Sequence, residues 1–308
     1  MRFVLAATAC LTVLESPSFA DEKVLQSLDG AITFRGEFGL ANLRAGEFVY
    51  EGKTKVSELK WKSQGVQTFT GGADISLPHD LALSIEATVG FNGNGHMVDY
   101  DWFNPNRNWS HRSIHPDTRL NHYFTGDIEL GRTVFEQDGT RFGLGAGLHY
   151  SDVKWTAWGG SYVYSDTGWR RDRGKFPKGE KGISYRQSWP VPYIAGNVSH
   201  VSGDWSFAGA LKAGITAGGQ GTDDHWMRDL RFVDHFDARP MLAFDGSVAY
   251  ALRENVSLSF SGGIEHMFKG RADTTMIDRI SGNRDRFRNG AASDFTAITL
   301  RLGVNGRF

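Results

Sequence analysis

Two short polar clusters in this 308-residue chain have the residue types and spacing of a hydrolytic site. The first lies in Gly95-His96-Met97-Val98-Asp99-Tyr100-Asp101-Trp102, where Asp99 and Asp101 stand two positions apart. In an extended segment that spacing turns both carboxyl groups to one side. Two close carboxylates repel, share a proton and can orient a water molecule. The plainer reading is a solvated acidic loop or a calcium site, since Asp is common in loops. The second cluster is Gly221-Thr222-Asp223-Asp224-His225-Trp226. Asp223 and His225 share a side, and a carboxylate fixes an imidazole tautomer and raises its basicity. Asp224, between them, points away. On its own an Asp-x-His is usually only a polar loop. No Ser stands in a nucleophile-elbow context and no HExxH zinc motif occurs, so no metal site is expected. Without a nucleophile, attack by activated water fits better than a covalent mechanism.

Strands must position these residues. Leu81, Leu83, Ile85, Ala87, Val89 and Phe91 alternate with Ser84, Glu86 and Thr88. Ile298, Leu300, Leu302 and Val304 alternate with Thr299, Arg301 and Asn305. The same period of two recurs near 32–40, 120–130, 142–148, 205–215, 242–252 and 256–268. Each stretch reads as a strand with one apolar and one polar face. The 38 Gly and 13% aromatic residues agree with strands and tight turns. With 34 Lys+Arg against 35 Asp+Glu, no basic excess exists to bind nucleic acid. A mean hydropathy of −0.37 excludes a bundle of membrane helices.

Composition alone would suit a soluble β protein, but three features favour a membrane barrel. Short connections at Pro78-His79-Asp80, Gln137-Asp138-Gly139, Ser202-Gly203-Asp204 and Arg253-Glu254-Asn255 alternate with long ones. The long ones span about residues 93–117, 159–182, 221–237 and 270–292, with a shorter fifth near 45–55. Short periplasmic turns and long extracellular loops are the outer-membrane pattern. Charged residues on the polar parity suit a solvated lumen. The chain also ends on an aromatic, Phe308, on the apolar parity. The expected fold is an all-β, transmembrane antiparallel β-barrel of about ten strands with long extracellular loops.

Residues 1–20 read as a signal peptide. Arg2 precedes an apolar run from Phe3 to Leu14, and Ser18-Phe19-Ala20 offers a cleavage site after Ala20. The single Cys, Cys10, lies inside that segment. Residues 21–308 are then one barrel domain of the bacterial outer membrane, with its site facing outside the cell.

The two clusters, in this order, resemble those of the omptin family of outer-membrane proteases. Further matching pieces are His115-Pro116-Asp117-Thr118, Gly159-Gly160-Ser161-Tyr162-Val163-Tyr164-Ser165 and Pro192-Tyr193-Ile194, so the likeness covers the whole mature chain. The resemblance implies an endopeptidase. Asp99 and Asp101 would hold the attacking water and stabilise charge, His225 would take its proton, and Asp223 would orient His225. Glu47 and Met97 would contact the substrate, Glu47 as an acidic pocket residue for basic side chains. The family's second acidic pocket position falls at Gly221, and His111 lies where another specificity aspartate is found, so the basic preference is expected to be weaker or broader. Lipopolysaccharide, the family's activator, is held by outer-face arginines. Here Asp152 and Ser188 take two of those positions; Arg239 keeps a basic residue, and Lys154 or Arg186 are substitutes. No other cofactor is implied, and a monomer is expected. The basic run Trp169-Arg170-Arg171-Asp172-Arg173-Gly174-Lys175 reads as a solvated loop tip. The competing functional reading is a non-enzymatic adhesin. A porin is disfavoured, because about ten strands leave a narrow lumen.

Overall fold

The computed structural model describes residues 31–104 and 106–308, and the signal segment expected at 1–20 lies outside them. Fifteen strands form among the described residues: β1 (Ile32–Glu51), β2 (Thr54–Leu77), β3 (Leu81–Phe91), β4 (Asn94–Asp101), β5 (His111–Gln137), β6 (Thr140–Trp158), β7 (Ser161–Tyr164), β8 (Asp172–Lys175), β9 (Lys181–Ser202), β10 (Trp205–Ile215), β11 (Gln220–His225), β12 (Leu230–Phe236), β13 (Pro240–Arg253), β14 (Val256–Asp278) and β15 (Arg284–Arg307). β7 and β8 form a hairpin that rides on β5. β3 continues into β4, β10 into β11 and β12 into β13, so the remaining thirteen strands make ten long barrel strands. Each pairs antiparallel with its chain neighbours, and β1 pairs with β15 from Thr33↔Arg307 to Val49↔Ala291. That last pairing closes the ring, which leaves no sheet edge and satisfies the backbone without water.

The alternation in sequence becomes two chemically different faces. Outward side chains form an apolar belt that includes Leu40 (53% exposed), Ile194 (68%) and Leu302 (67%). So large an apolar surface is stable only in lipid. Inward side chains at the same height are charged and paired. Arg301 bridges Glu37 (3.2 Å) and Glu86 (3.0 Å), while His149 bridges Asp127 (2.9 Å) and Glu265 (3.0 Å). Lys212 adds a contact to Asp127 at 3.0 Å. These groups line a lumen cavity of about 60 Å³.

Higher up, an aromatic floor crosses the barrel. Trp61 stacks on Trp155 (6.2 Å) and Tyr185 (5.8 Å), and Trp155 Nε1 donates to Ser63 Oγ at 2.9 Å. Trp189, Met97 and Phe295 complete the layer, all fully buried. Such stacks add roughly 0.5–1.5 kcal/mol per pair beyond area burial, so the floor is a rigid base for what stands on it.

The start of β1 and the end of β15 meet at the end with the short turns, where Phe308 N donates to Ile32 O at 2.8 Å. At the other end the structure corrects the expected long loops. Most of 93–117, 221–237 and 270–292 is strand, because the barrel wall continues well past the belt. The irregular tips shrink to about 102–110, 226–229 and 279–283. In 159–182 the basic run is not a free tip. Its residues Asp172–Lys175 are β8, and Arg170 stacks 3.5 Å over Trp109 and donates to the Trp109 carbonyl.

Candidate active site

Above the floor the wall encloses a cleft of about 440 Å³. The residues lining it stand seven or eight positions beyond the last belt residue of their strands: Leu40 to Glu47, Phe91 to Asp99, Ile215 to Asp223, Leu242 to Asp234. At the rise and tilt of barrel strands this is about 15–20 Å above the belt. The cleft therefore opens to water, outside the membrane-spanning part.

β4 carries the Asp pair. It is sandwiched between β2 and β5, with Asp99 opposite Leu59 and Ser113, and Asp101 opposite Ser57 and His111. The period of two turns positions 97, 99 and 101 inward together. Ser57 Oγ donates to Asp99 Oδ1 at 3.2 Å. The Asp101 carbonyl accepts the Ser110 N–H at 2.7 Å, which fixes the end of the strand.

β11, four barrel strands away around the ring, carries the second pair. Asp223 sits between Tyr185 of β9 and Phe232 of β12. His225 ends the strand, and a 3₁₀ turn over Trp226–Arg228 reverses the chain behind it. His225 Nε2 and Asp223 Oδ2 lie 2.7 Å apart. The imidazole meets the Phe232 ring edge-on at 5.4 Å. Nδ1 of His225 is left without a side-chain partner, and the residue lines the cleft. Asp224 points outward, as the spacing requires, and is held by Arg231 at 2.7 and 3.1 Å.

The electrostatics follow from crowding acids into a buried place. Burial, then the field of Asp101, pushes the Asp99 carboxyl well above the usual carboxylate range. Burial raises Asp101 as well. Glu47 is raised by burial and then by the nearby charges of Asp223 and Asp234. Asp223 is likewise raised by burial. Burial and the Arg228 guanidinium depress His225, against the opposing fields of Asp101 and Asp224. The imidazole is therefore neutral at neutral pH.

Five of the six residues singled out from sequence take identifiable places around this cleft. Asp99, Asp101, Asp223, His225 and Glu47 line it. Glu47 is oriented by Trp61 of the floor, whose Nε1 donates to Glu47 Oε2 at 3.0 Å. Met97, expected at the substrate surface, is instead 0% exposed in the floor, one inward position below Asp99. It supports the Asp pair from beneath and cannot touch a ligand. His111 is not open either, being bonded to Asp166 and Ser110, each at 3.0 Å. Ser57, Arg228, Tyr164 and Asp234 also line the cleft, although no polar pair in the sequence singles them out. Asp234 carried a signal: Phe232, Asp234 and Phe236 share a parity within a segment read as loop.

Of the positions compared with lipid-binding arginines, Asp152 and Ser188 lie on the outer face of β6 and β9. Asp152 is gripped by Arg186, with Nε to Oδ1 at 2.9 Å, and by His122 at 2.8 Å. Ser188 pairs with Asp152 across the strands and adds no charge. Arg239, expected to remain as a basic outer-face residue, is buried inside the barrel between Trp189 (4.3 Å) and Phe236 (4.4 Å). The irregular link between β12 and β13 reverses which parity faces inward, and this carries Arg239 to the interior. Among the described residues no group of three or more His, Cys, Asp or Glu is arranged to hold a metal ion.

Comparison with known proteins agrees with this architecture. The model of the Omptin family matches residues 29–308. Protease 7 of Escherichia coli strain K12 is 29% identical over 318 residues, covering 100% of each chain. The plasminogen activator of Yersinia pestis is 27% identical over 312 residues, covering 99% of this chain and 98% of its own. The crystal structure of the outer membrane protease OmpT from Escherichia coli matches with a TM-score of 0.86 at 25% identity, over 90% of this chain and 96% of that one.

Proposed function

The chain belongs to the omptin family, and from that premise we propose how its cleft cleaves a peptide bond. The protein is a protease of the outer membrane. The carrying observation is that two polar pairs from opposite walls meet over one buried, water-accessible cleft.

A water held between the pairs attacks the scissile carbonyl. His225 Nδ1 accepts the water's proton, because Nε2 is engaged by Asp223 and burial keeps the ring neutral. Asp223 holds the ring in that orientation and stabilises the imidazolium that forms. Asp99 and Asp101 repel each other in a buried place and so retain a proton between them. One carboxylate accepts a hydrogen bond from the water. The protonated partner donates to the oxyanion that develops on the carbonyl oxygen. Collapse of the tetrahedral species breaks the C–N bond, and the proton on His225 passes to the leaving amine. Glu47 supplies negative charge for a basic substrate side chain, the preference that the acidic lining supports.

The test is cleavage-site profiling of refolded protein with a peptide library rich in Arg and Lys pairs. Asp223→Asn, His225→Ala and Asp99→Asn are each expected to lower kcat by about a thousandfold or more. Their barrels should keep the heat-dependent shift in gel mobility. Full activity in all three variants would remove the mechanism.

A further inference from the structure

Among the described residues β8 is the one strand paired on a single side, and its partner is β7. The ring has no edge, so the free edge of the sheet belongs to β8. Arg173 and Lys175 are exposed and stand opposite Val163 and Ser161, while Asp172 and Gly174 are half-buried. The period of two sets both cations on one face of the edge strand, and the exposed Arg171 precedes them. Residues 159–182 hold six Lys and Arg against three Asp and Glu, a local surplus in a chain whose charges otherwise balance. Two of those acids are engaged elsewhere. Asp172 accepts the Thr167 N–H at 2.8 Å, and Asp166 meets His111 at 3.0 Å. Among the described residues no carboxylate forms an ion pair with Arg171, Arg173 or Lys175.

These cations stand on a fixed support. Arg170 is stacked on Trp109, and its N–H donates to Ser165 Oγ at 2.9 Å. Tyr162 of β7 packs against Tyr164 at 4.6 Å and against Phe176 at 5.1 Å. Tyr164 and Phe176 both line the cleft. β8 runs directly into Phe176, so its free edge begins at the rim of the cleft.

We propose that β8 is an exosite for an acidic segment of a protein substrate. A chain held in the cleft continues along β8, where its carboxylates meet Arg171, Arg173 and Lys175. The inference rests on the proteolytic reading above and adds a second recognition element outside the cleft. Two arguments fix the occupant. Exposed cations without carboxylate partners complement a run of Asp or Glu. A free strand edge offers main-chain donors and acceptors, which an extended polypeptide matches and a polysaccharide does not. Cations on an edge strand also keep copies of a chain from pairing, but that role is indifferent to the sequence of a substrate.

The experiment uses one cleavable peptide extended, on either side of its scissile bond, by a flexible spacer and four Glu, or by four Gln as the neutral control. In wild-type protein the Glu extension on one of the two sides should raise kcat/KM about five- to tenfold over Gln, through a lower KM, as several exposed ion pairs act together. The gain should shrink as salt is added. The triple variant Arg171→Gln, Arg173→Gln, Lys175→Gln should lose the gain while cleaving the Gln peptide as wild type does. No gain on either side, or a gain that the triple variant keeps, would overturn the proposal. If that variant keeps the gain yet loses binding to dextran sulfate, the edge is a polysaccharide site instead. Binding of both peptides to His225→Ala, read by fluorescence anisotropy, separates the two readings. If wild type cuts neither peptide but His225→Ala binds the Glu peptide more tightly, the catalytic reading fails and the exosite stands. If wild type cuts both peptides equally well, the exosite fails alone.

Discussion

Arg228 lies in the cleft a few residues after His225, and its guanidinium acts on three groups of the site at once. It opposes protonation of His225 and favours the ionised forms of Asp101 and Asp223. All three effects have the same sign: the cation lowers proton affinity. Its removal in Arg228→Gln should therefore raise the pKa that governs the acid side of the pH–rate profile, by about half a unit to one unit. Activity would then be lost at a higher pH than in wild type as the solution is acidified. Profiles of kcat/KM from pH 4 to 9 measure this, and a limb that stays put or moves to lower pH refutes the role given to Arg228. At this scale the sequence was most legible where two functional groups share a parity, as in Asp99 with Asp101 and Asp223 with His225. It was least legible for Asp234 and Ser57. Each acts on a partner from a different strand, and no local spacing encodes that.

The aim of the Asp pair depends on how β3 passes into β4. In the belt, odd-numbered Phe91 points outward to lipid, yet odd-numbered Asp99 points into the cleft. The reversal occurs at Asn92 and Gly93, both with positive φ, 61° and 94°. Gly95 then lies so close to β5 that an added Cβ would fall 1.9 Å from the Thr118 carbonyl oxygen, at a register shift between Gly95 and Met97. Backbone cannot yield as a side-chain tip can. Gly95→Ala must push β4 away from β5 and turn Asp99 and Asp101 off line, and a misplacement of about 1 Å can cost a hundredfold in rate. We expect at least a tenfold fall in kcat, with the belt strands and gel mobility shift retained; wild-type kcat in this variant would show that the close approach is not needed. Similar reversals separate Ile215 from Asp223 and Leu242 from Asp234. These breaks explain which elements were readable. Below them one face meets lipid and the other a polar lumen, so the alternation is plain in sequence. Above them the outer face meets water and the inner face is a polar cleft, so the strand continuation looked like loop. Arg239, compared with an outer-face arginine by resemblance alone, shares the inward parity of the buried Met241 and Ala243 in β13.

The whole molecule divides into a paired, charge-filled lumen, an aromatic floor and a cleft above the belt. How a lipid could influence that cleft depends on the outer face at the height between floor and belt. Binding a lipid phosphate there would need outward cations with free, converging donors. Arg186 has the right charge, but Asp152 occupies its guanidinium and His122 adds a second contact to the same carboxylate. Lys154, opposite Arg186 in the β6–β9 pairing, is the remaining cation of that patch. A single lysine is a weak, unforked partner for phosphate. Lipopolysaccharide should therefore couple weakly to the cleft. Protein refolded in detergent free of lipopolysaccharide should cleave peptides, and adding the lipid should change kcat/KM by less than about threefold, a coupling below ~1 kcal/mol. Asp152→Asn would free the Arg186 fork without altering the cleft, because position 152 faces the outside of β6, and in that variant stimulation by lipopolysaccharide should rise. Inactivity of the wild-type protein until the lipid is added would show that some other part of the outer wall binds it and holds the cleft in its working shape.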